Sequence, residues 1–303
     1  MAELTPMRRQ YQEMKEQHPD CILFFRLGDF YEMFDEDARV ASRELELTLT
    51  SRDRGKPEEE RTPMCGVPYH SADAYIARLI SRGYKVAICE QMEDPAQAKG
   101  LVEREVIRII TPGTVIDASM LEEGRNNYIC AIYRDSQGSG VCFCDISTGE
   151  CAVSAFETGE AEEERLYNEL GRFSPREALL SGGAWSDGPL LRFLTQKLAC
   201  RCENGGEERF YPDTALALAR RQFREGLDAL PEGSERALQA AGGLLSYLYE
   251  TQKTDLSHIS ALRCLSQGQF MELDLTARRT LELTETMRGG EKRGSLLWVL
   301  DKT

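Results

Sequence analysis

The chain has 303 residues, which suggests about two domains at the usual size of ~150 residues each. Hydrophobic residues make up 41% and charged residues 29% of the sequence, a composition typical of globular rather than disordered proteins. With 37 basic and 51 acidic side chains the formal net charge is −14. This charge argues against a purely electrostatic binder of nucleic acid or of membranes, because neutralising phosphates requires basic residues.

The first 113 residues alternate helix-like and strand-like patterns, which predicts an α/β domain over residues 1–113. Helices are predicted where apolar residues recur every three or four positions, and strands where a short apolar run ends in turn residues. In chain order the predictions are a helix over 5–17, a strand over Cys21–Phe25, a helix over 30–46, a helix over Ala72–Arg82 with Gly83 as its cap, and strands over Lys85–Cys89 and Val106–Ile110.

Turn and polar residues over 114–126 indicate a linker, after which a second α/β domain is predicted over residues 127–255. Its predicted elements are strands over Tyr128–Tyr133, Gly140–Ile146 and Glu150–Phe156, a hairpin turn at Ser147–Gly149, a helix over Ala161–Leu170, a strand over Ala178–Leu180 and a helix over Ser234–Tyr249.

The last segment, residues 256–303, has a helical pattern over Thr276–Met287 and an apolar run over Leu296–Leu300. Fewer than fifty residues cannot easily bury that apolar surface alone. We therefore expect the chain to be cut inside a third domain, or this segment to pack on another chain.

The cysteines and histidines do not form a metal site. None of the ten cysteines forms a C-x2-C pair, and the three histidines lack the H-x3-5-H spacing of zinc ligands. The pairs Cys142/Cys144 and Cys200/Cys202 have strand spacing, so we expect buried thiols in a reducing cytosol. The start of the chain has no apolar signal segment and no apolar run is long enough to cross a membrane, which predicts a soluble cytoplasmic protein.

Catalytic motifs are sparse. A phosphate-binding loop, a G-x-S-x-G motif and an H-E-x-x-H motif are all missing from the sequence, so we expect no complete enzyme. Asp145 and Glu150 flank the predicted hairpin turn and suggest a metal-dependent, ribonuclease-H-like nuclease as one alternative. Such sites need three or four converging carboxylates, and the sequence identifies only this pair. We favour the other alternative, in which Asp145 and Thr148 shape the turn while Glu150 is solvated.

The segment Gly28–Phe34 (GDFYEMF) has two interpretations. As structure, Asp29 caps a helix and Glu32 completes a capping box, while Phe30 and Phe34 face the core. As function, an aromatic side chain with a carboxylate two positions on enters a DNA minor groove and unstacks a base step. The pattern alone favours the structural interpretation, because short motifs often match by chance.

A series of motifs resembles the MutS family of bacterial DNA mismatch repair proteins. In chain order they are Asp29–Glu32, Pro63–His70, Gly83–Gln91, Glu93–Pro95, Arg108–Val115, Asp145–Glu150, Ala240–Leu245, Leu273-Asp274, Arg278-Arg279, Leu281–Glu285 and Gly289-Gly290. The resemblance covers essentially the whole chain. It implies a mismatch-recognition domain over 1–113, a ribonuclease-H-like connector without nuclease activity over 127–255, and the start of a helical core domain over 256–303.

The resemblance also implies roles and partners. In this family a phenylalanine stacks on a mispaired base from the minor groove and a glutamate hydrogen-bonds to that base, which assigns these roles to Phe30 and Glu32. Glu32 would donate to a purine N7 if protonated, or accept from a thymine N3–H if ionised. The family binds MutL through its connector, forms homodimers, and binds ATP and Mg²⁺ in a C-terminal ATPase. We expect that ATPase, with its cofactors, to be missing from this chain, and the connector to relay signals to it.

Candidate phosphate contacts are Arg52, Arg54 and Lys56, in the polar loop 51–60, and Arg108. Neighbouring acidic residues nearly cancel the charge of that loop, which favours a solvated loop. Arg108 is either a phosphate contact or a surface strand residue. Residues 1–110 have 16 basic and 21 acidic side chains, a net charge of 16 − 21 = −5. We therefore expect the chain alone to bind DNA weakly. A further alternative is a pure protein-interaction module.

Overall fold

A computed structural model describes residues 5–51, 55, 61–93, 100–122, 125–159, 161–265 and 273–301. The chain divides into two compact units. The first unit comprises Met1–Asn127 with Tyr247–Leu256, and the second comprises Tyr128–Ser246 with Ser257–Thr303. Each unit contains a six-stranded sheet with helices packed on it, which confirms the prediction of two α/β domains. Within the described ranges, no helix combines the length and the apolar character needed to cross a membrane.

The first domain packs helices on both faces of its sheet. Its elements are α1 (Pro6–Gln17), β1 (Cys21–Leu27), β2 (Phe30–Phe34), α2 (Asp35–Leu45), β3 (Thr50–Ser51), β4 (Pro63–Pro68), a 3₁₀ turn (Tyr69–Ser71), α3 (Ala72–Ser81), β5 (Lys85–Gln91), β6 (Arg104–Ile110) and a second 3₁₀ turn (Ala118–Met120). The strands lie in the order β3-β4-β2-β1-β5-β6. β1 and β5 are parallel, and the other neighbouring strands are antiparallel.

Strand alternation divides the apolar side chains of this sheet between two cores. Phe24, Tyr31 and Met33 pack with α2 and α3 on one face. Phe25 and Phe34 pack with α1 on the other face, where the ring of Tyr11 lies edge-on to both at centroid distances of 5.4 and 4.9 Å. Because both faces are covered, the strands in the centre of the sheet are apolar at nearly every position.

The helix predicted over residues 30–46 is wrong for its first five residues. Phe30–Phe34 form strand β2, and α2 begins only at Asp35. Gly28 has a φ of +59°, a conformation that glycine adopts without strain, and the chain turns back there to pair β2 antiparallel with β1. The predicted capping box of Asp29 and Glu32 therefore does not form, since the helix that it would cap starts five residues after Phe30.

The second domain places an antiparallel meander beside parallel strands. Its elements are β7 (Tyr128–Asp135), β8 (Gly138–Asp145), β9 (Glu150–Glu157), α4 (Glu162–Phe173), β10 (Glu177–Leu180), α5 (Gly182–Trp185), α6 (Gly188–Arg192), a π-helical turn (Phe193–Lys197), β11 (Arg201–Asn204), 3₁₀ turns (Glu208–Phe210 and Leu227–Ala229), α7 (Pro212–Gln222), α8 (Glu235–Gln252), β12 (Arg263–Cys264), α9 (Leu275–Thr280) and α10 (Leu296–Leu300). The end of α8, from Tyr247 onward, belongs to the first unit.

The strand order of this sheet is β11-β10-β7-β8-β9-β12. β7, β8 and β9 form the predicted antiparallel hairpins, and β10 and β11 continue the sheet in parallel beside β7. Fully buried side chains, among them Phe143 and Leu166, form its core. The description of this domain as ribonuclease-H-like stays a prediction.

The helix predicted over Thr276–Met287 is much shorter in the structure. α9 spans Leu275–Thr280, and the carboxylate of Asp274 caps it by accepting a hydrogen bond from the N–H of Ala277 at 2.5 Å. Glu282 has a φ of +49°, which a right-handed helix cannot contain. The helical spacing of apolar residues after Thr280 therefore does not correspond to a helix.

The expectation of buried thiols is confirmed for Cys142, Cys144 and Cys200 and is wrong for Cys202, which is half-buried. Eight of the ten free cysteines are buried, and Cys202 and Cys264 are half-buried. Burial raises the pKa of Cys21 and of Cys89 to about 12, so both stay protonated and unreactive at neutral pH. In the part of the chain that the structure describes, no group of three histidine, cysteine or acidic residues is arranged to hold a metal ion.

Two phenylalanines on neighbouring strands should differ sharply in their contribution to stability. Phe25 is fully buried and Phe30 is 47% exposed. We expect Phe25→Ala to lower the free energy of unfolding of the first domain by about 3–5 kcal/mol, because it leaves a cavity. Phe30→Ala should change it by only about 0.5 kcal/mol. Urea unfolding monitored by hydrogen exchange of first-domain peptides measures both, and equal losses would contradict the assigned burial.

Candidate nucleic-acid interface

Phe30 is an exposed aromatic residue at the end of a sheet whose other phenylalanines are buried. It is the first residue of β2, opposite Leu27 of β1 and Pro68 of β4. Its side chain is 47% exposed, compared with 0% for Phe25 and 2% for Phe34. The expectation that Phe30 and Phe34 both face the core is therefore wrong for Phe30, because the segment is a strand and Phe30 stands at its open end.

Glu32 lies on the same face of β2 as Phe30, because residues two apart on a strand point the same way. It is half-buried, and its register partners are Phe25 in β1 and Gly66 in β4. A Cβ atom at Gly66 would stand 3.2 Å from the carbonyl oxygen of Tyr31 and 3.5 Å from Cγ of Glu32. Glycine at this position therefore leaves room for the Glu32 side chain beside the exposed ring.

The turn that precedes Phe30 is fixed by hydrogen bonds to both of its carbonyl groups. The guanidinium Nε of Arg26 donates to the carbonyl oxygen of Gly28 at 2.5 Å. The backbone N–H of Tyr69 donates to the carbonyl oxygen of Asp29 at 2.9 Å. The backbone that carries Phe30 is therefore tied to β1 and to the 3₁₀ turn that follows β4.

Arg26 is itself held by a cluster of aromatic and acidic side chains. The carbon at the centre of its guanidinium lies 3.6 Å from the ring centroid of Tyr69, within cation–π distance. Its Nη1 lies 3.6 Å from Oε2 of Glu90, and the hydroxyl of Tyr31 donates to the other oxygen of Glu90. Burial, with the hydrogen bond to Glu90, raises the pKa of Tyr31, so its hydroxyl stays protonated as the donor.

Sequence reasoning did not identify Arg26 or Glu90 as part of this site. Tyr69 and Glu90 belong to the motifs Pro63–His70 and Gly83–Gln91, which carry the family resemblance but assign no role to either residue. The contacts join two strands and a 3₁₀ turn that are far apart in the sequence, so no local spacing rule connects these residues. A signal was nevertheless present, since Arg26 lies only two residues before Gly28, where the apolar run of the predicted strand has ended.

Of the four candidate phosphate contacts, the structure describes only Arg108. Arg52, Arg54 and Lys56 lie outside the described residues. Arg108 has a side chain that is 19% exposed and lies 3.4 Å from the carboxylate of Asp117. Its Nε donates to the side chain of Gln252 at 3.1 Å. These contacts favour a structural role for Arg108 over a phosphate contact.

Two family models match the chain in succession, MutS domain I over residues 5–119 and MutS domain II over residues 127–260. The chain belongs to the MutS family. It is 50% identical to the DNA mismatch repair protein MutS of Acetivibrio thermocellus over 304 residues, 49% identical to that of Desulforamulus reducens over 304 residues, and 48% identical to that of Ruminiclostridium cellulolyticum over 303 residues. These alignments include 99–100% of this chain and 34% of each relative, so the chain spans about a third of the length of these MutS proteins.

Asp145, in MutS domain II, has the contacts of a residue that shapes a turn. It is 1% exposed, and its Oδ1 accepts hydrogen bonds from the N–H and the hydroxyl of Ser147 at 2.9 and 2.6 Å. Its backbone carbonyl accepts from the N–H of Gly149 at 2.9 Å, which closes the hairpin. The turn alternative is therefore favoured, and the structure does not support a nuclease centred on Asp145.

The expectation that Glu150 is solvated is wrong, because its carboxylate contacts two other side chains. It pairs with Asp145 across the hairpin and accepts a hydrogen bond from the hydroxyl of Tyr128 at 2.8 Å. Its other oxygen lies 2.7 Å from Nη2 of Arg263 on β12. These contacts tie Glu150, on β9, to β7 and to β12.

Removing the Asp145 carboxylate should destabilise MutS domain II. We expect Asp145→Ala to lower its free energy of unfolding by about 1–3 kcal/mol, because it removes the acceptor of the two hydrogen bonds from Ser147 that fix the turn. Asp145→Asn, the matched control, keeps an acceptor oxygen and should lose less. Both tryptophans of the chain, Trp185 and Trp298, lie in the second unit, so urea unfolding followed by tryptophan fluorescence reports on this domain. Stabilisation of the wild-type chain by Mg²⁺ or Mn²⁺ that Asp145→Asn abolishes would instead favour a metal site.

Proposed function

We propose that this chain recognises mismatched base pairs in double-stranded DNA, with Phe30 as a wedge in the minor groove and Glu32 as the partner of the displaced base. The observation that carries this proposal is the exposure of Phe30 at the end of a sheet that buries Phe24, Phe25 and Phe34 almost completely. Burying such a ring is worth about 1.5–3 kcal/mol, so an exposed one forgoes stability that its neighbours gain.

The energetics of a wedge favour a sensor that responds to weakened stacking. Unstacking a base step costs a few kcal/mol, and less where pairing is already defective. Stacking of an aromatic side chain on a base returns about 1–3 kcal/mol. These terms are close enough that insertion of Phe30 becomes favourable only where the duplex yields. Specificity then depends on the deformability of the DNA more than on base-edge hydrogen bonds, which suits a protein that accepts many different mispairs.

Glu32 complements the wedge because it lies one strand repeat further along the same face, about 7 Å from Phe30. A carboxylate at that spacing is within reach of the base on which the ring stacks. Its negative charge opposes the approach of phosphates, which disfavours binding to an intact duplex. A hydrogen bond to a displaced base offsets this repulsion, so Glu32 increases the difference between mismatched and matched DNA.

The relatives that match this chain are named DNA mismatch repair proteins, and their greater length leaves room for further functions. We propose that MutS domain II docks MutL and relays the state of the DNA to an ATPase, which binds ATP and Mg²⁺ in a longer protein that also forms the homodimer. We propose that the protein acts in the cytoplasm. No residue of this chain is proposed to catalyse a chemical step. These proposals rest on the family and on the motifs that the chain shares with it.

Phe30→Ala should remove most of the preference for mismatched DNA. We expect the ratio of the affinities for a G·T-mismatched and a matched duplex to fall about 5- to 150-fold, which corresponds to the loss of 1–3 kcal/mol of stacking. Fluorescence anisotropy with labelled duplexes measures this ratio in a protein of the relatives' length that contains this sequence. Tyr211→Ala, which removes a 53% exposed aromatic side chain of MutS domain II, is the matched control.

Unchanged preference in Phe30→Ala would refute the wedge. A photo-crosslinker at position 30 of the 303-residue chain provides a second test at low salt. It should react with the mispaired base, whereas a pure protein-interaction module would give no such adduct.

Glu32→Gln should tighten binding to matched DNA. The substitution keeps the size and the hydrogen-bonding capacity of the side chain but removes its charge. We expect the affinity for a matched duplex to rise several-fold at low salt, and this gain to shrink at high salt because charges are screened. Glu36→Gln, an exposed glutamate of the same domain, is the control for the loss of one negative charge. Equal gains in both variants would show that only net charge matters.

A further inference from the structure

The position of the Phe30 ring depends on a turn that has little intrinsic rigidity. Gly28 is the most flexible kind of residue, and Asp29 is exposed. Exposed turns with few buried contacts are usually among the mobile parts of a protein. In this domain, however, the carbonyl group of Gly28 accepts a hydrogen bond from β1, and that of Asp29 accepts one from the 3₁₀ turn after β4. The order of this turn therefore comes from the donors, which are Arg26 and Tyr69.

Arg26 is suited to this task because three parts of its planar side chain are engaged at once. Nε donates to Gly28, one face of the guanidinium stacks on Tyr69, and Nη1 faces Glu90. The side chain is only 17% exposed. A lysine would keep the charge but would lose both the directed Nε–H bond and the flat face. The guanidinium thus joins the turn at Gly28 to the 3₁₀ turn after β4 and to β5 in a single geometry.

Arg26 acts from the side of the sheet opposite to Phe30. In the β1–β2 register Arg26 pairs with Tyr31, whereas Phe30 pairs with Leu27, and adjacent positions on a strand face opposite sides. The guanidinium also lies near the ring of Tyr31, at 5.6 Å, on the face that α2 and α3 cover. Its influence on Phe30 therefore passes through the backbone of the turn.

We infer that Arg26 is a positioning residue for mismatch recognition, which acts with Tyr69 to hold the turn so that the Phe30 ring is ordered before DNA binds. The inference rests on the proposed function of Phe30. A side chain that is already ordered loses less entropy on insertion, so affinity rises for the complex in which the ring is inserted. Binding to matched DNA, in which the ring is not inserted, gains nothing from this order.

The test compares two pairs of variants in a protein of the relatives' length. Arg26→Lys keeps the charge, and Tyr69→Leu removes the stacked ring from a side chain that is 44% exposed, so it spares the core. Each should weaken binding to a mismatched duplex about three- to tenfold and leave matched binding unchanged. Tyr69→Phe keeps the ring and should restore wild-type affinity. Arg82→Lys is the matched control, because Arg82 also pairs with a glutamate of this domain, Glu44, at 2.5 Å.

A second measurement reads the order of the ring without DNA. With 4-fluorophenylalanine at position 30 of the 303-residue chain, the ¹⁹F chemical shift should move toward that of an unfolded peptide in Arg26→Lys and Tyr69→Leu. It should stay unchanged in Tyr69→Phe and Arg82→Lys. Far-UV circular dichroism checks that each variant is folded, and Tyr69→Leu decides the question if Arg26→Lys fails to fold.

The outcomes separate this inference from the proposed function. If Phe30→Ala keeps the mismatch preference, the wedge itself is refuted. If Phe30→Ala loses the preference while Arg26→Lys and Tyr69→Leu keep both the preference and the wild-type ¹⁹F shift, only the positioning role is overturned. Equal weakening of matched and mismatched binding by Arg26→Lys would show that Arg26 contacts phosphates, and would also overturn it.

Discussion

The reversal of the chain at Gly28 and Asp29 is the constraint on which the candidate interface depends. The positive φ of Gly28 allows β2 to fold back on β1, and this pairing puts Phe30 opposite Leu27 at the end of the sheet. The same register puts Glu32 beside Gly66, where there is space for its side chain. The ring of Phe30 and the carboxylate of Glu32 therefore lie on the same face of β2, near the end of that strand.

The end of the sheet that carries Phe30 is exposed to solvent, whereas helices cover both faces of the sheet. Helices pack on both faces, and Phe24, Phe25 and Phe34 are almost completely buried. The stability of the fold is thus supplied by side chains next to Phe30, and the exposed ring is free to serve binding. The acidic composition fits this arrangement, because a chain with a net charge of −14 cannot hold a duplex by charge alone and must rely on local geometry.

Most strands and helices could be predicted from the sequence, and the errors have a common physical origin. Phe30 and Phe34 are four residues apart, a spacing that puts two side chains on the same face of a helix and also on the same face of a strand. The interpretation as a helix used this spacing, but Gly28-Asp29 is a turn sequence that fits a hairpin equally well. At the other end of the chain, the positive φ of Glu282 interrupts a helical pattern that composition alone does not reveal.

The residues of the candidate site also show how far a sequence pattern can predict structure. Phe30 and Glu32 are two residues apart in the sequence and belong to one motif, so pattern and family resemblance identify them. Arg26, Tyr69 and Glu90 come together only when β1, β5 and the 3₁₀ turn after β4 are folded, so no local pattern contains their contacts. Mismatched and matched DNA differ by only a few kcal/mol in binding free energy, so a large entropy cost for ordering the Phe30 ring would remove most of that difference. The residues that are hardest to see in the sequence are therefore the ones on which discrimination by Phe30 would depend most.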